Sequence, residues 1–153
     1  MQRGTTRTRE NTEVSLREMV AHLNVIDAGI ARIGESRGLE VSGGARDLLS
    51  RLELLAFLAA RVRIDDLPRV TDALEELVLA AQLQPLRCAD DVNATLRHGV
   101  DVLLLLTHDA MRRMQGHPAA ELRGAINALI DRVDRIISSG DAIERPALKA
   151  AGL

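Results

Sequence analysis

Leu48-Leu49-Ser50-Arg51-Leu52-Glu53-Leu54-Leu55-Ala56-Phe57-Leu58-Ala59 is the stretch on which the fold turns. Leu48, Leu49, Leu52, Leu55, Ala56, Ala59 and Val62 recur at the spacing that lines one side of an α-helix, so a helix is predicted over about residues 44 to 63. The opposite side reads Arg46, Ser50, Glu53, Phe57 and Ala60. A strand would alternate apolar and polar residues, and β-branched residues never alternate over a useful length anywhere in the chain. One apolar and one mostly polar side is the pattern of a helix with its back in a core and its front in water.

Toward the N-terminus, Leu16, Met19, Val20, Leu23, Ile26, Ile30 and Ile33 form a similar stripe. Ser15, with Glu18 three residues on, has the form of a capping box, so the first helix is predicted to begin there. It is expected to stop near Arg37-Gly38, where glycine can take the left-handed conformation, with Ser42-Gly43-Gly44 as the next break. Residues 1–14, rich in Thr and Arg and without an apolar period, are expected to form a flexible arm.

Toward the C-terminus, Asp65-Asp66 before Leu67-Pro68 supplies an N-cap acceptor and a proline in the first turn. The third helix then buries Val70, Ala73, Leu74, Leu77, Val78 and Ala81, ending at Gln84-Pro85-Leu86. Asp90 or Asp91 is expected to cap a fourth helix reaching Met114 through Val92, Leu96, Val100, Leu103, Leu104 and Met111. Val102, Leu105 and Leu106 make its middle apolar all round, so it is either central or part of a partner surface. After the break Gln115-Gly116-His117-Pro118, Leu122, Ala125, Ile126, Leu129, Ile130, Val133, Ile136 and Ile137 predict a fifth helix closing at Gly140. Short connections favour antiparallel neighbours. The expected fold is therefore all-α: an up-down antiparallel bundle of five helices, four in the core plus one, over residues 15–140, with a loose tail over 141–153.

Composition narrows the function classes. The 153 residues are 46% hydrophobic and 27% charged, the proportions of one globular domain. Apolar runs such as Val102 to Leu106 fall far short of the ~20 residues a bilayer needs. Met1-Gln2-Arg3-Gly4 lacks the apolar core of a signal peptide, so no membrane partner and a cytoplasmic location are expected. A net charge of −2 and one aromatic residue, Phe57, argue against nucleic-acid binding, which needs a basic field or stacking platforms.

The familiar chemical motifs are missing. Gly43-Gly44 stands alone between two helices, unlike the glycine patterns of nucleotide loops. The four histidines, at positions 22, 98, 108 and 117, form no i,i+3 or i,i+4 pair, and with a single cysteine no zinc or di-iron site is expected. Cys88 beside Arg87 reads as an ordinary reduced thiol. No cofactor is implied.

On the fourth helix, His98, Asp101, His108 and Arg112 share one angular sector with Leu105. One reading is a solvated polar stripe. A second takes Thr107-His108-Asp109 as similar to the His-acid core of kinase dimerisation helices, with His108 as phosphoacceptor and Asp109 managing its proton. His98 and His108 lie about 15 Å apart along the axis, too far to share an ion or a proton.

A longer likeness spans the order of five helices and, above all, Leu67-Pro68-Arg69-Val70-Thr71-Asp72-Ala73-Leu74-Glu75-Glu76-Leu77. This resembles the stretch after the active helix of histidine phosphotransfer (Hpt) domains, including the first domain of chemotaxis-type kinases. The resemblance implies a four-helix core, often with a fifth helix, and a phosphorylatable His on the second helix followed by Lys and Gly at three and four residues. Counting back places those positions near Glu53, Ala56 and Phe57, and no residue of the second helix is a histidine. The resemblance therefore implies a degenerate, non-catalytic Hpt-like adaptor that binds a receiver or kinase domain through Arg46, Ser50, Glu53, Phe57 and Ala60. Phosphotransfer through His108 is one alternative. A homodimer held by the apolar middle of the fourth helix is another.

Overall fold

The computed structural model describes the backbone of residues 2–35, 44–83 and 89–150 and the side chains of residues 7–32, 44–82 and 91–138. Five helices account for it: α1 (Gln2–Glu35), α2 (Gly44–Val62), α3 (Leu67–Leu83), α4 (Ala89–Met114) and α5 (Arg123–Ala150), with no strand among the described residues. The all-α bundle is the fold.

Packing follows the apolar stripes. α1 lies against α2 and α4, and α3 also lies against α2 and α4, so the first four helices close a ring. α5 packs on α3 and α4 from outside that ring. Residues equidistant from each connection meet, as antiparallel neighbours require. Glu53 acts on Glu75 across the Arg63–Asp66 turn, and Gly99 sits against Leu74 across the α3–α4 connection. Inside the ring, Leu16, Met19, Leu23, Leu52, Leu55, Leu74, Leu77, Leu96 and Leu103 are buried, each worth about 1.5–3 kcal/mol in removing apolar surface from water. α5 contributes Ile126, Leu129 and Val133, while its Ile130, Ile136 and Ile137 are only partly covered.

The apolar middle of α4 is largely covered within the bundle. Val102 and Leu106 are buried, α4 touches three helices, and only Leu105 points outward. Buried Thr95 and Thr107 turn their hydroxyls back to the Asp91 and Leu103 carbonyls, the latter at 2.8 Å, so neither leaves an unsatisfied group in the core.

Two helix ends close in the same way. After α4, Gly116 takes φ 90° while the His117 amide donates to the Arg112 carbonyl and the Gly116 amide to Arg113, the hydrogen-bond pair of a Schellman motif. After α2, Ile64 donates to the Ala59 carbonyl at 3.0 Å, but the left-handed residue is Arg63, at φ 60°.

Three boundaries differ from expectation. α1 starts at Gln2 and not at Ser15, so residues 2–14 are helical. Ser15 consequently sits inside the helix, buried, and is not an N-cap. One tie within the helix and one across the bundle hold this turn: Arg9 lies 3.8 Å from Glu13, and its Nη2 donates to the Met114 carbonyl at 3.1 Å, at the end of α4. Cations there also suit the helix dipole. α4 begins at Ala89, which puts Asp90 and Asp91 within it and not ahead of it. α5 continues through Gly140 to Ala150, since an interior glycine costs only about 1 kcal/mol and does not by itself stop a helix. The predicted stops at Arg37-Gly38 and Gln84-Pro85-Leu86, the break at Ser42-Gly43 and the residues Arg87 and Cys88 lie outside the described residues. Among the described residues no helix is long and apolar enough to cross a membrane.

Candidate functional site

The front of α2 is a consequence of its back. Burying Leu48, Leu52, Leu55 and Ala59 against α1 and α3 fixes the rotation of the helix, and Arg46, Ser50, Glu53, Phe57 and Ala60 are all left exposed. Phe57, the only Phe, Tyr or Trp in the sequence, is 61% accessible, the most exposed large hydrophobic side chain among the described residues. Leu54, one turn back and slightly to one side, is 38% exposed and widens the apolar spot.

α3 completes this face. Glu53 and Asp72 lie close enough to Glu75 to act on its charge, which places the outward side of α3 beside that of α2. Glu75 is half-buried, and loss of hydration, followed by the negative charges of Asp72 and Glu53, pushes its carboxyl above the ordinary glutamate value. None of the three carboxylates has an ion-pair partner among the described residues. One turn further along α3, Leu79 is 46% exposed. Sequence reasoning missed Asp72, Glu75 and Leu79. Their signal was present, since the three share one side of the helix at i, i+3 and i+7 and face away from the Leu77 stripe.

The His108 region is built differently from the dyad that its sequence suggests. His98 is half-buried, while Asp101, Leu105, His108 and Arg112 are exposed, so the outward stripe on α4 exists. Thr107 is buried with its hydroxyl occupied. Asp109 turns away from His108: Oδ1 accepts from the Ala120 amide at 2.8 Å, and Oδ2 lies 3.2 Å from Arg113 Nε. Its side chain is 10% exposed; Oδ1 ties the α4–α5 connection to the bundle, and Oδ2 pairs within α4. The structure brings Arg46, Ser50, Glu53, Phe57 and Ala60 together and leaves His108 without its acidic neighbour.

Among the described residues no group of three His, Cys, Asp or Glu side chains is arranged to hold a metal ion. The face around Phe57 has no paired nucleophile and base either. What it can do chemically is exclude water over a small apolar area ringed by charges. No family model, no curated protein and no solved structure matches this chain.

Proposed function

We propose that this chain is a non-catalytic, Hpt-like adaptor or regulator in bacterial-type signal transduction that binds a receiver or kinase domain through the front of α2. One observation carries the reading: the sole aromatic side chain stands exposed at the centre of a face whose rim is charged, the usual layout of an interface anchor. Counting back along the Hpt-like stretch puts the family's phosphorylatable His near Glu53, and a carboxylate there would offer permanent negative charge in place of a transferable phosphoryl group. Its task is recognition.

The test is titration calorimetry with purified receiver and kinase domains. Phe57→Ala weakens a complex on this face by more than about 1 kcal/mol, roughly fivefold in Kd. Because Phe57 is exposed, the same change leaves the stability of the free chain within about 0.5 kcal/mol, so lost binding is not lost folding. An unchanged Kd removes the face from consideration. Acid-labile phosphate that moves from a phosphorylated receiver to this chain, and vanishes in His108→Ala, overturns the adaptor reading. Concentration-dependent sedimentation abolished by Leu105→Glu points instead to a homodimer on α4.

A further inference from the structure

The face formed by α2 and α3 carries a charge pattern of its own. Glu53 and Glu75 come together across the antiparallel pair, and Asp72 lies one turn from Glu75 on α3. From that point the two helices run in opposite directions. Phe57 is four residues along α2 from Glu53, and Leu79 is four residues along α3 from Glu75. At 1.5 Å per residue the two side chains stand about 12 Å apart along the pair, one on each side of the carboxylates. Both are exposed, and Leu54 widens the Phe57 end.

Among the described residues no cation closes on the middle of this face. Arg46 and Arg61, both exposed, lie seven residues before and eight after Glu53, about 10 and 12 Å away along the axis of α2. Arg51 is on the other side of α2, 3.1 Å from Asp47 and 3.4 Å from His22 of α1. Arg69 turns toward α5 and donates to Asn127 Oδ1 at 3.2 Å. Three carboxylates therefore share a small area without a countercharge, and half-buried Glu75 registers the cost in a carboxyl pushed up by lost hydration and by its two neighbours. A cation brought from outside relieves that repulsion, whereas a second negative surface adds to it.

We infer that this face takes a basic amphipathic helix of a protein partner, with an apolar side chain at each end of two helical turns and arginine or lysine between them. Two turns of α-helix span about 11 Å, close to the separation of Phe57 and Leu79, and residues at i, i+3, i+4 and i+7 share one side. The apolar ends lie on Phe57 and Leu79, and the basic residues between them face Glu53, Asp72 and Glu75. The charge argues against other occupants: two copies of this face set on each other oppose like charges, and so does a nucleic acid or an anionic membrane. The inference rests on the proposed reading of the α2 face as an interface and adds the chemistry of what binds there.

The probe is a synthetic alanine-rich peptide of about 18 residues, long enough to hold a helix, with Leu at i and i+7 and Arg at i+3 and i+4. It is titrated into the full chain and followed by 1H–15N chemical shifts. It saturates below about 1 mM with shifts confined to α2 and α3, and binds at least about tenfold tighter than the same peptide with Glu for Arg or Ala for Leu. Glu53→Gln, Asp72→Asn and Glu75→Gln together weaken it about tenfold and Leu79→Ala about fivefold, whereas neutralising Asp131 and Asp134, both exposed on α5, by Asp→Asn changes leaves it unaltered. All of these side chains are wholly or partly exposed, so the fold survives the substitutions. No saturation by about 1 mM, equal affinity for either comparator peptide, or a triple variant that binds like the parent overturns the inference. A receiver or kinase domain that binds through Phe57 and is indifferent to the triple substitution also overturns it, and leaves the adaptor reading standing. A peptide that behaves as stated while no receiver or kinase domain binds supports it, and removes the adaptor reading instead.

Discussion

Adding one methyl group at each of two glycines should move stability in opposite directions. Gly99 is buried in α4, and a Cβ built on it would fall on the Leu74 side chain, overlapping Cδ2 and coming within 2.7 Å of Cδ1 and 3.0 Å of Cγ. Leu74 is 1% exposed, so moving its side chain aside means repacking its buried neighbours. Gly29, in α1, has nothing within 4 Å of the same hypothetical atom. Gly29→Ala therefore gains the ordinary helix-propensity term, about 0.5–1 kcal/mol. Gly99→Ala gains a similar term but forces overpacking that costs about 1–3 kcal/mol, for a net loss of about 0–2.5 kcal/mol. Leu74→Ala alone costs about 2–5 kcal/mol. In the double variant the new methyl fills part of the space Leu74 vacates, so the combined loss is smaller than the sum by more than about 0.5 kcal/mol, the usual limit of additivity. With no Trp or Tyr in the chain, far-UV circular dichroism during urea unfolding is the assay. Each kcal/mol should shift the thermal midpoint by about 2–4 °C. If Gly99→Ala stabilises as much as Gly29→Ala, or if the cycle with Leu74→Ala is additive, the close approach of α3 and α4 is not what holds Gly99 in place.

Two further substitutions test the electrostatics. Asp109→Ala removes an acceptor from the Ala120 amide and a partner from Arg113, and should cost about 0.5–1.5 kcal/mol in urea titration, most of it through the amide because Arg113 is itself well exposed. Asp109→Asn keeps the acceptor and recovers the larger part, whereas exposed His108→Ala stays within about 0.5 kcal/mol of the parent; an Asp109→Ala variant as stable as the parent would show that the loop is held by other contacts. Glu75→Gln should stabilise the chain at neutral pH, because the folded-state pKa is raised and the folded chain binds this proton more readily than the unfolded one. Stability is thus lost as pH rises from the ordinary glutamate value of 4.5 through the raised one, and the advantage of Gln fades as pH falls back below 4.5; an equal advantage at pH 4 and pH 7 would point to packing rather than charge.

How much of this was legible in the sequence depends on whether burial or register decides the feature. α2 and α3 were readable nearly to the residue because their boundaries and faces follow from apolar spacing, an N-terminal Asp66-Leu67-Pro68 and a core that covers every predicted position from Val70 to Ala81. The beginning of α1 was not readable by the same rule. Its side chains from Arg7 to Val14 are nearly all exposed, and the helix is fastened by Arg9 reaching a carbonyl more than a hundred residues away, a contact that leaves no local period. The candidate face was half legible. Rotation of α2 follows from its own stripe, so Arg46, Ser50, Glu53, Phe57 and Ala60 could be named together. Which residues of α3 stand beside them is a matter of how the hairpin registers across a four-residue turn, and only the folded chain brings Glu75 to Glu53.

The same distinction bears on His108. Residues adjacent in a helix point about 100° apart, so a His followed by an Asp is a pair in sequence but not in space. At i and i+4 the geometry reverses, and Asp109 is found on Arg113. A phosphoacceptor on α4 would thus work with a bare, solvent-exposed imidazole, without the neighbour that could hold its tautomer or take its proton. Any chemistry at His108 must borrow that group from a partner. An interface on α2, by contrast, needs only what its own face already presents, an exposed ring and a rim of charge, and this difference in what each reading must import is the physical reason to prefer recognition over transfer.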